Sequence, residues 1–346
     1  MMRAAVFKGL GQGLSVEDVP RPEPGPGEVV IKVEACGVCG SDLHATDEGV
    51  FLQEPGTILG HEFAGEVVDS RHGDVAIGDR VTVVPVNPCG KCRECREGYT
   101  MLCAQNRITG LSGQAVPGAY AEYVKAPARY VVPLPDGVDY EEGAMVEPLA
   151  VGLHAVGKAG IAIGDRVLVI GAGPIGLSVA AFARMAGAGA VVVSERAPAR
   201  LSAAREFGAT AVIDAAATAD VGAAFAEIAG GPPDVIFDCV GVPGMIRSCV
   251  DMSRARGTIV VVGVCMKEDT QVPLSAILKE LKIQYVLGYQ EQDFARVLAV
   301  LRSGRLKPAP MVTDRVALEA LPEAFERLRQ PGSQIKLMIL PNAPEG

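Results

Sequence analysis

The order of apolar and polar positions divides the chain into two textures. Up to about residue 145 the apolar residues come in short runs or in alternation: EVVIKVEACGV from Glu28, EFAGEVVDS from Glu62, DRVTVVPV from Asp79 and AYAEYVKAPARYVVPL from Ala119, with Gly and Pro between them. Such runs with turn residues at their ends predict β-strands. Pro20, Pro22, Pro24 and Pro26 predict an extended opening connection, because each fixes φ and removes an amide donor. From about residue 147 short Val/Ile runs alternate with Ala-rich segments of helical length: RVLVIG, PIGLSVAAFARMAG, AVVVSE, ARLSAAREFG, AVID, PDVIFDCVG and TIVVVGVC. That alternation predicts a parallel sheet with helices on both faces. A helix over EQDFARVLAVLRSG, another around LPEAFERL and a terminal strand QIKLMIL complete the pattern, and residues 341–346 read as a frayed tail.

At 346 residues the chain exceeds what one core usually serves, so two domains are expected. A net charge of −9 leaves no basic footprint for nucleic acid or for an anionic membrane. The N-terminal segment has no long apolar stretch and no membrane-spanning run follows, so a cytoplasmic protein is expected. Nine cysteines, an odd and tightly clustered set, suit metal chelation better than a disulfide framework.

Four of them, Cys89, Cys92, Cys95 and Cys103, fall within fifteen residues as C-x2-C-x2-C-x7-C. Segments this short let four sulfurs converge on one tetrahedral ion, the demand of a structural Zn²⁺ site. Pro88, Gly90 and Gly98 help the backbone curl around it. A bacterial ferredoxin run would close with C-x3-C-P, which is absent, and free clustered thiols would be an oxidation liability.

Gly171, Gly173 and Gly176, with Pro174 and Ile175, form G-x-G-x-x-G after the strand RVLVIG and open a helix. Gly171 permits the tight turn, Gly173 lets the backbone approach a pyrophosphate, Gly176 allows close helix–strand packing, and the helix N-terminus faces the phosphates. Glu195, nineteen residues beyond Gly176, can accept from both ribose hydroxyls and repels a 2′-phosphate, which favours NAD over NADP. Arg196 and Arg200 offer the alternative, guanidiniums that receive that phosphate. Val240, Gly241, Gly263, Val264, Gly288 and Tyr289 fall at expected strand ends, where ligands of parallel sheets sit. Cys39 and His61 supply soft ligands for a second, catalytic zinc, and Glu62 and Glu147 are carboxylates available to complete its sphere. Taken singly, each has an ordinary structural explanation.

In combination, Gly37 to His44 (GVCGSDLH), Gly60-His61-Glu62, the four-cysteine lobe, Val146 to Ala150 (VEPLA) and GAGPIG resemble the zinc-dependent medium-chain dehydrogenase/reductase family, over nearly the whole chain and in the family's order. The closest likeness is to its polyol and secondary-alcohol branch of sorbitol, threonine and butanediol dehydrogenases. The resemblance implies an α/β protein: a GroES-like, mostly-β catalytic domain over 1–150 and 288–346 carrying a zinc lobe at 88–104, and a Rossmann domain over 151–287. It implies that Cys39 and His61 bind zinc together with Glu62 or Glu147, and that Asp42 fixes the His61 tautomer. Ser41 would accept the alcohol proton, His44 would pass it to solvent, and Lys336 would offer a cation to the pyrophosphate. Val50, Phe51 and Tyr289 are candidate pocket residues; His154 is assigned to core packing and His72 to nothing. The implied activity is hydride transfer between a polyol or secondary alcohol, or the matching ketone, and NAD, by a homodimer or homotetramer. An NADPH-dependent ketone reductase, or a catalytically retired binding protein of the same fold, is the alternative.

Overall fold

The computed structural model describes residues 1–47, 53–330 and 332–342. It divides into two compact units, Met1–Glu147 joined by the segment from Gln290 onward, and Pro148–Tyr289.

In the first unit the strand Glu28–Gly37 is the hub. It pairs antiparallel with Glu62–Ser70, with Tyr123–Pro127 and with the C-terminal strand Lys336–Leu340, which pairs on its other edge with Val312–Ala317. Burial on both faces explains the hub: Val29, Val30, Ile31, Val33, Ala35 and Cys36 are all buried. At its end Gly37 lies opposite both Glu62 and Met338, so three distant pieces of sequence meet at one sheet position. A side chain at Gly37 would lie 2.2 Å from a Glu62 carboxylate oxygen, which explains the glycine. The stretch from Ala119 does not run as one strand, because Pro127 ends the ladder and a 3₁₀ turn, Ala128–Tyr130, leads into Val131–Pro133. Short strands Val86–Asn87 and Arg107–Ile108 close the neck of the cysteine lobe. The expected fraying does not begin at Pro341: Asn342 Nδ2 donates to the carbonyls of Val33 (2.8 Å) and Glu122 (3.1 Å), tying that end to the hub.

The second unit is a six-stranded parallel sheet ordered Ala211–Asp214, Ala190–Glu195, Arg166–Ile170, Val235–Asp238, Thr258–Val261, Lys282–Tyr285. In chain order this is 3-2-1-4-5-6, the doubly wound dinucleotide-binding arrangement, whose switch point lies beside Arg166–Ile170. The central strands are covered on both faces, so Val167, Leu168, Val169, Ile236 and Phe237 are all fully buried. The helices over Val221–Ala229, Met245–Met252 and Pro273–Leu278, and the last strand with its polar alternation, carry weaker sequence signals than their neighbours. Among the described residues no helix is long and apolar enough to cross a membrane.

The N-terminal edge of this sheet is locked by Asp234. Its carboxylate accepts from the Arg166 amide (2.9 Å), from Arg166 Nε (2.9 Å) and from Arg254. Burial pushes the Asp234 carboxyl up, but the hydrogen bonds and charges of Arg166 and Arg254 outweigh it and hold it below the ordinary value. A depressed folded pKa stabilises above the unfolded value, and that contribution is lost as pH falls through the folded one. Asp234→Asn is therefore expected to cost about 1–3 kcal/mol at pH 7, and urea melts stepped downward from pH 7 should show the difference shrinking in acid.

Candidate active site

Two clusters of metal-ligating side chains stand out among the described residues, and both lie in the first unit. In the lobe, the sulfurs of Cys89, Cys92, Cys95 and Cys103 lie within 4.8 Å of one another. Cys92 caps the helix Arg93–Arg96, its sulfur accepting from the Cys95 amide at 3.5 Å, and the Cys103 sulfur accepts from the Cys89 amide at 3.5 Å. The amides of Lys91 and Cys92 draw the Cys89 thiol down to about 6. The Cys95 amide pulls Cys92 the same way, but burial and its hydrogen bonds with Cys95, Glu94 and Cys89 push it up to about 12. Four crowded sulfurs cannot all ionise without a cation, and an all-sulfur set of four fits tetrahedral zinc.

The second cluster is Cys39, His61 and Glu62, whose ligand atoms also lie within 4.8 Å of one another. Cys39 precedes the short helix Gly40–Ala45, and the Asp42 carboxylate turns back to accept from the Cys39 amide at 2.9 Å. Asp42 is fully buried; Oδ2 also accepts from the Tyr120 hydroxyl at 2.7 Å, and Oδ1 faces His61 Nδ1 at 3.3 Å. Burial raises the Asp42 carboxyl, yet the His61 charge and the donors from His61, Tyr120 and Cys39 hold it below its ordinary value. Burial disfavours a charged His61, but the Asp42 carboxylate more than compensates, so the imidazole titrates well above its ordinary range. With Nδ1 turned to Asp42, Nε2 is the nitrogen left for a metal, and it lies 3.5 Å from Ser41 Oγ. Asp42 Oδ1 and His61 Nδ1 nonetheless form no well-aligned hydrogen bond, leaving buried polar atoms short of partners. Thiolate, imidazole and carboxylate around such a spot fit a zinc ion, which would displace the His61 proton.

Lys336 has partners that its sequence neighbourhood does not show. Its buried ammonium donates to the Val38 carbonyl (2.9 Å) and to both Glu62 oxygens (2.8 and 2.5 Å). These contacts all lie within the first unit. Burial lowers its pKa, but the charges of Glu62, Cys39 and Glu147 raise it overall. Glu147 is buried in the first turn of the helix Val146–Ala159 and stands outside the three-residue group. His44 is half-buried one helical turn beyond Ser41, on the same face. Val50 and Phe51 lie outside the described residues, Tyr289 is buried, and His154 is half-buried on its helix.

In the second unit Gly171 has φ +96°, and the Glu195 carboxylate at the end of the adjacent strand accepts from the Ala172 amide at 2.8 Å and from the Arg196 amide at 2.6 Å. A Cβ on Gly176 would meet the Gly171 carbonyl at 1.9 Å, whereas one on Gly173 would meet nothing within 4 Å. The first contact is packing; the second is open space at the N-terminus of the helix Pro174–Met185, a cradle that fits a dinucleotide pyrophosphate. Beside it Gly241 and Gly263 pack backbone to backbone, a Cβ on Gly263 falling 2.3 Å from the Gly241 nitrogen. Val240 and Val264 remain exposed there, and Gly288 is half-buried. Sequence reasoning passed over Asp238, which shapes this edge by accepting from the Val240 (2.9 Å) and Gly241 (3.1 Å) amides, and Tyr120. Only the position of Asp238 at the end of PDVIFD hinted at its part; an aromatic in a strand-like run gave no hint for Tyr120.

Residues 25–136 match the alcohol dehydrogenase GroES-like domain family and residues 174–303 the zinc-binding dehydrogenase family. The chain is 35% identical to (R,R)-butanediol dehydrogenase of Bacillus subtilis, over 95% of this chain and 97% of that one. To the sorbitol dehydrogenase of the same organism it is 33% identical, over 99% and 98%. The chain belongs to the zinc-dependent medium-chain dehydrogenase family. Among solved structures, a protein of Sinorhizobium meliloti 1021 described as a zinc-binding dehydrogenase and bound to NADP superposes with a TM-score of 0.89 at 33% identity, covering 99% of each chain. The family is one of oxidoreductases using zinc and a nicotinamide cofactor, and the two metal-ligating clusters and the glycine cradle are the parts of this member that suit those groups.

The two glycines of the cradle should separate on substitution. Gly176→Ala is expected to cost about 1–3 kcal/mol of stability, as overpacking does. Gly173→Ala should leave the urea midpoint unchanged while weakening NADH binding in a fluorescence titration.

Proposed function

We propose that this oxidoreductase interconverts a polyol or small secondary alcohol and its ketone, with NAD as the preferred hydride carrier and two zinc ions per chain. The observation that carries the reading is the convergence of Cys39, His61 and Glu62 beside Ser41. Cys39, His61 and Glu62 would hold the catalytic ion, with Glu147 buried nearby, and the four lobe cysteines the structural one. Zinc supplies a Lewis acid that eases ionisation of a substrate hydroxyl, and the dinucleotide supplies the hydride acceptor.

The remaining work falls to side chains of this protein. Asp42 holds His61 in the tautomer that presents Nε2. Ser41 would receive the hydroxyl proton, and His44, half-buried like it and one turn on, would pass it outward. In Pro148–Tyr289, which we assign to the cofactor, Glu195 is steadied over the glycine turn by backbone amides, where its charge favours ribose hydroxyls over a 2′-phosphate. The catalytic domain is then Met1–Glu147 with the C-terminal segment. The outermost strand, Lys282–Tyr285, with exposed Ile277, Leu278, Tyr285 and Leu287 close by in sequence, supports the dimer or tetramer that the family likeness implies. NADP is the second reading, favoured by the nucleotide on the Sinorhizobium meliloti relative and by exposed Arg196 beside Glu195.

Titration of NADH and NADPH against the purified protein decides between them, and Glu195→Ala is expected to narrow the difference by about tenfold or more. A panel of diols, polyols and ketones followed by nicotinamide absorbance identifies the substrate; binding of cofactor with no turnover across the panel would defeat the enzymatic reading. Elemental analysis should return about two zinc ions per chain. Cys39→Ala should remove one of them and abolish turnover with the fold intact, whereas Cys92→Ser should lower the thermal midpoint.

A further inference from the structure

Both elements that carry the ligands of the second cluster rest on one buried side chain from a third. Tyr120 is completely buried at the end of Gly118–Tyr120, a segment that pairs back onto the residues just before His61: the Tyr120 amide donates to Leu59 O and the Ala119 amide to Gly60 O, each at 2.9 Å. Its ring lies so close to Gly60 that a Cβ there would fall 2.5 Å from Tyr120 Cδ1, and Gly60 turns at φ +99° to let the chain pass into His61. Its hydroxyl reaches the other way, to Asp42 Oδ2 on the helix that Cys39 opens. That same Asp42 oxygen receives the Cys39 amide, while the opposite oxygen faces His61. The far end of the helix is fixed independently. Arg329 donates to Thr46 Oγ1 at 2.7 Å and pairs with Asp47, and it lies over Phe325, whose ring meets Tyr120 edge-on at a centroid distance of 6.4 Å.

We propose that Tyr120 is a positioning residue for the catalytic metal: its ring sets the His61 turn, its hydroxyl sets Asp42 and the Cys39 amide, and so it fixes the spacing of the two soft ligands. A hydroxyl serving only stability could be satisfied by any buried acceptor. This one joins a carboxylate that addresses both ligand-bearing elements. The inference rests on the reading that Cys39 and His61 hold zinc.

The test uses Tyr120→Phe, which keeps the ring and removes only the hydroxyl. Zinc release from the intact enzyme to a chromogenic chelator is followed in time, and the phase belonging to the Cys39 site is the one missing from Cys39→Ser. In Tyr120→Phe that phase should accelerate about tenfold, the scale on which outer-shell partners act. The lobe phase should be unchanged, and the visible bands of the cobalt(II)-substituted Cys39 site should shift. Unchanged release and unchanged bands would overturn the proposal. Equal acceleration of both phases, or failure of the variant to fold, would overturn it in favour of a purely structural role. If wild-type enzyme released a single equivalent, absent from Cys92→Ser and retained in Cys39→Ser, the reading of the catalytic metal would fall, and this inference with it.

Discussion

A buried carboxylate organises the first unit around Cys39 and His61. Asp42 has no access to solvent, so its charge must be balanced from within: the Cys39 amide and the Tyr120 hydroxyl donate to it, and the His61 ring faces it at 3.3 Å. An isolated buried carboxylate would cost several kcal/mol or more and would protonate instead. Supplying those donors at once is possible only when the Cys39 helix, the His61 turn and the Tyr120 segment are all in place. Satisfying one charge thereby assembles the neighbourhood of the soft ligands.

A second buried charge pair completes it. Glu62 and Lys336 are both nearly devoid of solvent contact, and losing either partner of such a pair typically costs about 3–5 kcal/mol. Their juxtaposition follows from sheet register, since Gly37 lies opposite Glu62 on one side and Met338 on the other. The glycine is what leaves room for the carboxylate. The second unit is organised differently: Asp234 ties one end of its parallel sheet, and at the other the backbones of Gly241 and Gly263 pack together with Val240 and Val264 exposed beside them.

Local signals carried most of this architecture. Short apolar runs bounded by turn residues marked Glu28–Gly37 and Glu62–Ser70, and the strand–helix alternation from Arg166 marked the parallel sheet, because burial is imposed directly on composition. The cysteine lobe and the glycine turn were legible because ligand spacing and backbone approach restrict residue type. Partnerships across long separations were not. A sequence separation of 274 hides the pairing of Glu62 with Lys336. Tyr120 was hidden likewise: nothing in the run AYAEYV distinguishes a hydroxyl that meets a carboxylate from one that meets water. Pro127 bent a stretch that alternation alone extends into a single strand.

The place of Lys336 in the final strand bears on biogenesis. Until the strand Lys336–Leu340 has left the ribosome, the emerged polypeptide presents Cys39, His61 and Glu62 without the ammonium that neutralises the glutamate. Such a nascent donor set is one charge more negative than the mature one and lacks the strand that pairs beside Cys36 and Gly37. The charge balance of this cluster is therefore complete only once the strand Lys336–Leu340 has docked beside Cys36 and Gly37.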